Sequence, residues 1–309
     1  MLTEDIVLGF FIIGIQLMVP ILLAALGEAI TEKSGVLNVG IEGVMIVGAF
    51  ATAFAGINSG NAIVGILAGV GSGILTGAIL AFFYVYRGTD QIVTGLMFNL
   101  LATGFTGVLH STFLAGKNGP TLPLVRIPGI DRIPWLGPIT SQQNAMLYVG
   151  IALAFVVHFF LYRTWWGLYT RSAGERPTAA ESGGLNIKRL RAPAVIIGCA
   201  VAATGGSALV LSTSGGFVPG MTAGRGFIAL GVVVLARWRP AWVLLCALGF
   251  GLSQGLQFLA TKVDALAVLP GQFWIALPYA VTLVVVVFAP GSRYPAAVGI
   301  PYQPAGKGG

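Results

Sequence analysis

The chain has 309 residues, of which 56% are hydrophobic and only 9% are charged. Soluble domains carry about 25% charged residues and could not hide this much apolar surface, so the composition excludes a soluble protein. Apolar stretches of about 20 residues recur along the chain and predict an all-α, polytopic membrane protein. The net charge of +7 is spread over loops and does not indicate nucleic-acid binding.

The apolar stretches predict about nine transmembrane helices, with eight and ten as the limits. The first stretch follows Glu4 and Asp5 and lacks a small-residue cleavage site, so we expect a spanning helix rather than a removable signal peptide. The seventh stretch is the weakest, because glycines interrupt its start. The predicted spans are 6–26, 36–56, 62–86, 92–115, 145–162, 192–212, 218–238, 240–260 and 271–289.

The distribution of basic residues orients these spans. The stretch 163–191 carries six basic residues, so the positive-inside rule predicts that it is cytoplasmic. Propagating this placement along the spans puts twelve basic residues inside and five outside. The C-terminus is then predicted to be cytoplasmic and the N-terminus external.

The chain carries an internal repeat. Residues 40–48 (GIEGVMIVG) resemble residues 223–231 (AGRGFIALG), with Glu42 at the position of Arg225. The predicted topology gives the two copies opposite directions, so we expect an inverted repeat with halves at about 6–115 and 192–289 inside one domain, 1–309. Each copy is followed by the pattern G-x-G-x-x-x-G, formed by Gly71, Gly73 and Gly77 in the first and by Gly249, Gly251 and Gly255 in the second.

A second glycine pattern lies within the third predicted span. Glycines at every fourth position share one helix face and allow the backbone of a neighbouring helix to approach closely. We therefore predict tight helix packing there, without contact to a solute. These residues are Gly65, Gly69, Gly73 and Gly77.

Two long polar loops separate the halves. The loop 163–191 is basic, and residues Thr178 to Gly183 are predicted to form a short helix that ends at glycine. This loop is either a plain basic loop that sets orientation or a docking helix for a cytoplasmic partner. The proline-rich loop 116–144 is predicted to be external, lying on the membrane or against a partner.

Motifs for catalysis and metal binding are missing from the sequence. It contains no G-x-x-x-x-G-K-[ST] phosphate loop, no H-E-x-x-H, no metal-spaced Cys/His set and no G-x-S-x-G elbow. We therefore expect no catalytic and no metal-binding residues. Any ATP hydrolysis that drives this protein would take place on another chain.

Four stretches resemble a known family. LGEAITEKSGVLNVGIEGVMIVGAF (Leu26 to Phe50) closely resembles the first signature of permease subunits of bacterial ABC importers for nucleosides and simple sugars. That permease family also serves branched-chain amino acids and ribose. Stretches 88–106, 173–191 and 220–240 agree with the same family, in order. The segment 237–240 (RWRP) is more basic than the family pattern.

The resemblance implies a type II ABC importer permease fold in a bacterial plasma (inner) membrane. Two permease subunits, identical or paralogous, would pair around a central path. A cytoplasmic ATPase would bind ATP and Mg²⁺, and an extracytoplasmic binding protein or lipoprotein would deliver the solute, so this chain needs no cofactor. The loop 163–191 would contain the coupling helix seated on the ATPase. The residues that carry this match are Gly174, Glu175, Pro177, Ala179, Ala180 and Gly183.

The cargo follows from the resemblance only in order of preference: a nucleoside, then a ribose-like sugar, then a branched-chain amino acid. A neutral solute needs few charges along its path, but each polar edge needs a hydrogen-bond partner there. The candidate path residues are Asn38, Glu42, Gln91, Asn99, Arg225, Gln254 and Gln257.

Glu42 is the one clear acid expected deep in the membrane, about 9–12 Å along its helix from the cytoplasmic end. An ionisable residue at this depth faces a cavity or a partner. Glu42 and Arg225 therefore either line the path or are structural, with the Glu42 carboxylate holding helix ends or pairing with a basic residue.

Two rival classes remain open at this point. An ion-driven secondary transporter would need several paired membrane carboxylates and no docking loop. A lipid-modifying membrane enzyme would need an interfacial cluster of His, Asp or metal ligands, which the sequence does not contain.

Overall fold

The computed structural model describes residues 4–130, 133–212, 215–263, 269–288 and 294–302. These residues form helices and loops, with one isolated antiparallel bridge between Leu124 and Asn144. Seven of the described helices are long and apolar enough to cross a membrane. They are α1 Glu4–Lys33, α2 Ile41–Ser59, α3 Ala62–Arg87, α4 Gln91–Leu114, α6 Ala145–Arg163, α9 Ile187–Ser212 and α11 Pro240–Lys262.

Five further helices complete the described part of the chain. The last of them, α12 (Gly271–Phe288), corresponds to the last predicted span, whose predicted end at 289 lies outside the described residues. The C-terminal segment 303–309 also lies outside them. The five helices are α5 Leu136–Ser141, α7 Trp165–Glu175, α8 Pro177–Ser182, α10 Arg225–Leu235 and α12 Gly271–Phe288.

The seventh predicted span is wrong as a full crossing. Its helix, α10, has 11 residues and a length of about 17 Å, roughly half the hydrocarbon thickness of a bilayer. Turns occupy residues 219–224, where Gly220, Ala223 and Gly224 all have positive φ angles. These left-handed conformations are incompatible with a right-handed helix, so α10 begins only at Arg225.

The first helix is longer than predicted. It runs past residue 26 to Lys33 and ends before Gly35, whose φ of 89° a right-handed helix does not accommodate. Consequently α2 begins at Ile41 rather than at residue 36. This shift places Glu28 and Glu32 inside α1 instead of in a polar loop.

The helix α9 lies at the centre of the bundle, in contact with α1, α2 and α3. Its approach to α1 depends on two glycines. A Cβ on Gly198 would lie 2.6 Å from the Gly27 carbonyl oxygen, too close for any side chain. The absence of side chains at these two positions lets the helices pack backbone to backbone.

The predicted glycine stripe of α3 lies in the interface with α2 and α9. A Cβ on Gly65 would lie 2.8 Å from the Thr52 carbonyl oxygen in α2, and one on Gly77 would lie 2.9 Å from the Cys199 Cβ in α9. Gly69 is blocked by side chains of α2 and α9, and Gly73 by atoms of α9. All four glycines therefore touch neighbouring helices and none lines a cavity described here.

The duplicated glycine patterns serve corresponding contacts. A Cβ on Gly73 in α3 would lie 2.6 Å from the Ala203 Cβ in α9. A Cβ on Gly251, its counterpart in α11, would lie 2.8 Å from the Met18 Cβ in α1. The most extensive helix pairs of the bundle are α1 with α11 and α3 with α9. If α9 takes the place of α1 and α3 takes the place of α11, the pair α1–α11 becomes the pair α9–α3.

The first glycine of each duplicated pattern differs from the other two. Gly71 and Gly249 have open space where a Cβ would be, with no atom within 4 Å. The two copies of the pattern thus agree in the first position, which is free, and in the second, which is blocked.

The loop 116–144 packs against the end of α9. The backbone N–H of Leu122 donates to the Leu211 carbonyl, and that of Gly119 donates to the Gly215 carbonyl. Trp135 and Leu136, at the start of α5, are about half exposed. The loop is therefore attached to its own chain while presenting apolar side chains outward.

Candidate functional site

The Glu42 carboxylate joins α2 to α10. Its Oε1 accepts a hydrogen bond of 2.8 Å from the Gly224 N–H, and its Oε2 accepts one of 2.7 Å from the Gly226 N–H. The side chain is only 9% exposed. A carboxylate at a helix N-terminus satisfies free backbone N–H groups and is favoured by the helix dipole. Both carboxylate oxygens therefore bind the N-terminal turn of α10. This arrangement corresponds to the structural alternative for Glu42, in which the carboxylate holds a helix end.

Arg225 stands between the two amides that Glu42 binds. Its Nη1 donates to the carbonyl oxygens of Met221 and Thr222, at 3.1 and 3.2 Å. Its Nε has no hydrogen-bond partner among the described residues. The charges of Arg225 and Glu42 attract each other. The two signature charges of the repeat therefore meet at the first turn of α10.

Three of the predicted path residues hold the loop before α2. Asn99 accepts from the Gly43 N–H at 2.7 Å and donates to the Val39 carbonyl at 2.9 Å. Gln91 accepts from the Leu37 N–H at 2.7 Å. Both side chains are buried, so they fix the start of α2 instead of facing a cavity.

Asn38 is the third of these residues and lies deeper in the bundle. Its backbone N–H donates to Glu28 Oε1 at 2.9 Å, and its side-chain amide donates to the Cys199 sulfur at 3.4 Å. Asn38 is 1% exposed. It therefore connects α1 and α9 with the loop before α2, away from any described cavity.

The remaining predicted residues meet in a cavity of about 170 Å³ beside the start of α10. Gln254 and Gln257 of α11 line it together with Arg225. The tertiary structure adds two aromatic residues from α12, Trp274 and Tyr279. The Tyr279 hydroxyl donates to the Ala223 carbonyl at 3.1 Å, which ties α12 to the turn before α10.

The sequence reasoning did not select Trp274 and Tyr279. The only available signal was chemical: both side chains have an aromatic ring and a polar tip, and both fall inside an apolar span. Nothing in the sequence distinguished a position facing a cavity from one at the membrane interface.

Glu42 does not lie about 9–12 Å along its helix as expected, because α2 begins at Ile41 and places Glu42 in the first turn. It is also not the only buried acid among the described residues. Glu28 and Glu32, one helical turn apart in α1, are each 1% exposed. Glu32 accepts a hydrogen bond from the Trp238 indole N–H, and Glu28 accepts from the Asn38 backbone. A buried carboxylate needs such partners because desolvation is costly. The sequence prediction missed this pair because it ended the first helix too early.

The predicted short helix in the loop 163–191 is confirmed. Helix α8 runs from Pro177 to Ser182 and is followed by Gly183, as the pattern predicts. The preceding helix, α7, ends at Glu175. Ala179 and Glu175 are exposed, whereas Ala180 is buried at the inner side of α8.

Gly174 attaches this loop to the end of α1. A Cβ on Gly174 would lie 3.0 Å from the Gly35 N and closer still to the Lys33 carbonyl oxygen. The Gly174 carbonyl also accepts from the Ala297 N–H at 2.9 Å. The position therefore has room for glycine only, and α7 is fixed to α1 and to the segment 294–302.

Arg191 and Tyr302 complete this attachment. Arg191 is 2% exposed and donates to the carbonyl oxygens of Ala173 and Ile300, each at 3.3 Å. Burial and the neighbouring Glu181 carboxyl raise the pKa of the Tyr302 hydroxyl to about 12. Tyr302 is therefore neutral at physiological pH.

These features define an integral membrane protein in which a broken helix, clamped by a buried carboxylate, borders a cavity lined by both polar and apolar side chains. The family described as "Branched-chain amino acid transport system / permease component" matches residues 10–289. The match covers most of the chain, and the chain belongs to this family of transport permeases. The resemblance found in the sequence is thereby confirmed.

Similar proteins carry names that state a cargo. The chain is 35% identical to the putative glucose ABC transporter permease protein TsgC13 of Haloferax volcanii, with 89% of each chain covered. It is 32% identical to the guanosine ABC transporter permease protein NupQ of Bacillus subtilis, with 92% of each covered. It is 28% identical to the nucleoside ABC transporter permease protein NupC of Lactococcus lactis, covering 92% of this chain and 93% of NupC. No solved structure matches the chain.

All three of these organisms have a second similar permease, which in Haloferax volcanii is the glucose ABC transporter permease protein TsgB13. The guanosine ABC transporter permease protein NupP of Bacillus subtilis is 28% identical, covering 78% of this chain and 72% of NupP. The nucleoside ABC transporter permease protein NupB of Lactococcus lactis is 24% identical, covering 78% of this chain and 70% of NupB. Relatives of this chain thus occur as pairs of permeases in one organism.

Proposed function

We propose that this chain is the membrane-spanning permease subunit of an ATP-driven ABC importer that takes up nucleosides. The observation that carries the proposal is the nearly full-length similarity to the guanosine permease NupQ, at 32% identity. A nucleoside is neutral and polar. The side chains that line the cavity beside α10 suit the polar edge of such a solute, because amide and aromatic side chains there outnumber charged ones.

The partners follow from this proposal. A second permease, identical or paralogous, would share the path, and the NupP/NupQ and NupB/NupC pairs support a paralogue. A separate cytoplasmic subunit would bind ATP and Mg²⁺ and hydrolyse the nucleotide. An external binding protein or lipoprotein would deliver the solute. This chain would then act as a transport subunit and not as an enzyme.

The ATPase would act through α7 and α8. Gly174 packs α7 against the end of α1, and Glu32 in the last turn of α1 accepts from Trp238, in the turn after α10. The opposite end of α10 is held by Glu42 of α2. A displacement of α8 would therefore be transmitted to α10 through two contacts, that of Gly174 with the end of α1 and that of Glu32 with Trp238. Displacement of this broken helix against α2 would open and close the path, as alternating access requires.

Solute uptake by cells that depend on this chain tests the proposal. Radiolabelled guanosine, glucose and leucine are supplied to cells with and without the chain, in the presence of its partner subunits. We expect guanosine uptake to require both this chain and an ATPase competent in hydrolysis. Guanosine uptake that is the same without the chain would contradict the proposal.

Glucose is the second candidate cargo, because the putative glucose permease TsgC13 is 35% identical to this chain. In the same assay, uptake of glucose without uptake of guanosine would favour it. Uptake that survives loss of the ATPase but stops with an uncoupler would instead favour an ion-driven transporter, for which the buried pair Glu28 and Glu32 would be the candidate carboxylates.

The proposed orientation puts the loop 163–191 and the C-terminus in the cytoplasm of a bacterial cell. Ser182 in α8 and Thr121 in the loop 116–144 are both exposed, so a cysteine at either position can be labelled. In a background with Cys199 and Cys246 replaced, a membrane-impermeant maleimide should label Thr121→Cys in intact cells. Ser182→Cys should react only after the cells are opened. The reverse labelling pattern would overturn the orientation.

A further inference from the structure

Most of the outer surface of the bundle is apolar, as lipid contact requires. On α3, α4 and α6 many exposed side chains are large and aliphatic or aromatic. They include Leu67, Leu75, Leu100, Leu101, Phe155 and Phe159. These large apolar side chains are suited to the hydrocarbon of a bilayer.

The face formed by α10, α11 and α12 is different. Gln257 and Tyr279 are exposed there, and Gln254 is half-buried. The two glutamines lie about 8–12 Å from the end of α11 at Lys262, inside the apolar length of the helix. Amide groups at that depth are costly in contact with lipid. This face must therefore meet a water-filled path or a second subunit that completes one.

Two buried donors at this face have no partner among the described residues. They are Nε of Arg225 and Nε1 of Trp274, and the Trp274 side chain is only 8% exposed. Both residues line the cavity that Gln254 and Gln257 also line. An unpaired buried donor is unfavourable, so a side-chain movement that brings these N–H groups to the acceptors of a solute would be favoured. The cavity thus combines unused hydrogen-bonding capacity with flat aromatic rings.

We propose that this cavity is a selectivity site that binds the base of a purine nucleoside during its passage, an inference that rests on the proposed function. Guanidinium and amide side chains pair with the polar edges of purines, arginine with guanine and glutamine with adenine in the best-known cases. The rings of Trp274 and Tyr279 offer stacking surfaces of the kind that bind bases. Selection by the permease would add to selection by the binding protein.

The charge balance of the cavity agrees with a neutral ligand. Arg225 is the one charged residue that lines it within the described part of the chain, and Glu42 lies close enough to attract its guanidinium. The Glu42 carboxylate is engaged by backbone amides of α10 and does not line the cavity itself. An amino acid carboxylate would be the main competing ligand, because it would pair with Arg225 directly.

The test uses the complete assembly reconstituted in liposomes, with the binding protein at saturation. Maximal uptake is measured for guanosine and for unsubstituted purine riboside, which keeps the ring system but lacks the polar groups on the base edge. The variants are Gln254→Leu and Gln257→Leu. The matched control is Gln272→Leu, an exposed glutamine of α12 that does not line the cavity.

We expect the ratio of guanosine to purine riboside uptake to fall by about fivefold in each cavity variant, the effect of one lost hydrogen bond. In the control Gln272→Leu, both this ratio and the ATP hydrolysis stimulated by the binding protein should stay unchanged. An unchanged ratio in both cavity variants would overturn the inference. Equal loss of both solutes would also overturn it, since this would indicate a structural role.

The two proposals fail in distinguishable ways. If the unaltered assembly carries glucose or leucine and no nucleoside, the proposed function fails and the base-binding inference fails with it. If the unaltered assembly carries guanosine while the cavity variants keep the normal ratio, only the inference about the cavity fails.

Discussion

Glu42 of α2 and Gly226 of α10 are joined by a hydrogen bond of 2.7 Å between a carboxylate oxygen and a backbone N–H. The same carboxylate accepts from the Gly224 N–H, so it spans the first turn of the broken helix. Gly226 also has to be glycine here, because a Cβ would lie 2.7 Å from the Glu42 Cα. One acidic side chain in the first repeat thereby fixes the helix start of the second.

Replacing Glu42 by Gln tests this clamp. A glutamine has one acceptor oxygen, so its NH₂ group would face an N–H of α10 and leave one buried donor unpaired. Hydrogen bonds to charged groups contribute about 1.5–3 kcal/mol, so we expect uptake to fall at least about tenfold while the variant still assembles with its partners. Glu4→Gln, at an exposed position, is the control. Normal uptake in Glu42→Gln would contradict a role for the carboxylate charge.

Trp238 is expected to stabilise the C-terminal end of α1. In Trp238→Phe the buried Glu32 carboxylate loses its indole donor, which should lower the free energy of unfolding by about 1–3 kcal/mol. Thermal unfolding of the purified protein in detergent measures the change. Trp242→Phe is the matched control, because Trp242 is 54% exposed. Equal stability of the two variants would show that the Glu32 contact is unimportant.

The duplicated glycines provide their own controls. Gly73→Ala and Gly251→Ala each place a methyl group against a neighbouring helix, so we expect much less folded protein in detergent. Gly71→Ala and Gly249→Ala place it in open space. These two should be neutral or more stable by up to about 1 kcal/mol, since alanine favours helix more than glycine does. Size-exclusion yield ranks the four variants, and a similar loss in all of them would refute the packing argument.

The exposed side of α8 is expected to dock the ATPase. In Ala179→Arg a long cation would stand on that surface without disturbing the core, because Ala179 is exposed. Co-purification of the ATPase with the permease should therefore fall at least about tenfold, equivalent to about 1.4 kcal/mol. Thr121→Arg, in the loop 116–144, should co-purify normally. Undiminished association in Ala179→Arg would place the docking surface elsewhere.

Much of the architecture could be predicted from the sequence, because a bilayer restricts the possible structures so strongly. Continuous apolar stretches have to become helices, since backbone groups need partners in hydrocarbon. Six of the predicted spans before residue 213 correspond to helices long enough to cross. The helix α8 followed the local rule that proline begins a helix and glycine ends it.

Boundaries and side-chain roles could not be predicted in the same way. Helix α1 continued past residue 26 because tertiary packing buried Glu28 and Glu32, which local hydropathy treats as the start of a loop. The seven candidate path residues looked alike as polar groups in apolar surroundings. Only their positions in the tertiary structure distinguish them. Asn38, Gln91 and Asn99 hold the start of α2, and Glu42 binds the start of α10. Arg225, Gln254 and Gln257 line the cavity.

The sequence by itself determined that the chain crosses a membrane, carries a duplicated glycine and charge pattern, and ends α8 at a glycine. These properties depend on composition and on neighbours within a few residues. The tertiary structure alone decided that Glu42 binds Gly226 and that Trp274 joins Gln254 in one cavity. Those relationships connect residues far apart in the chain, and they arise because helices pack through glycine faces that no local pattern can pair.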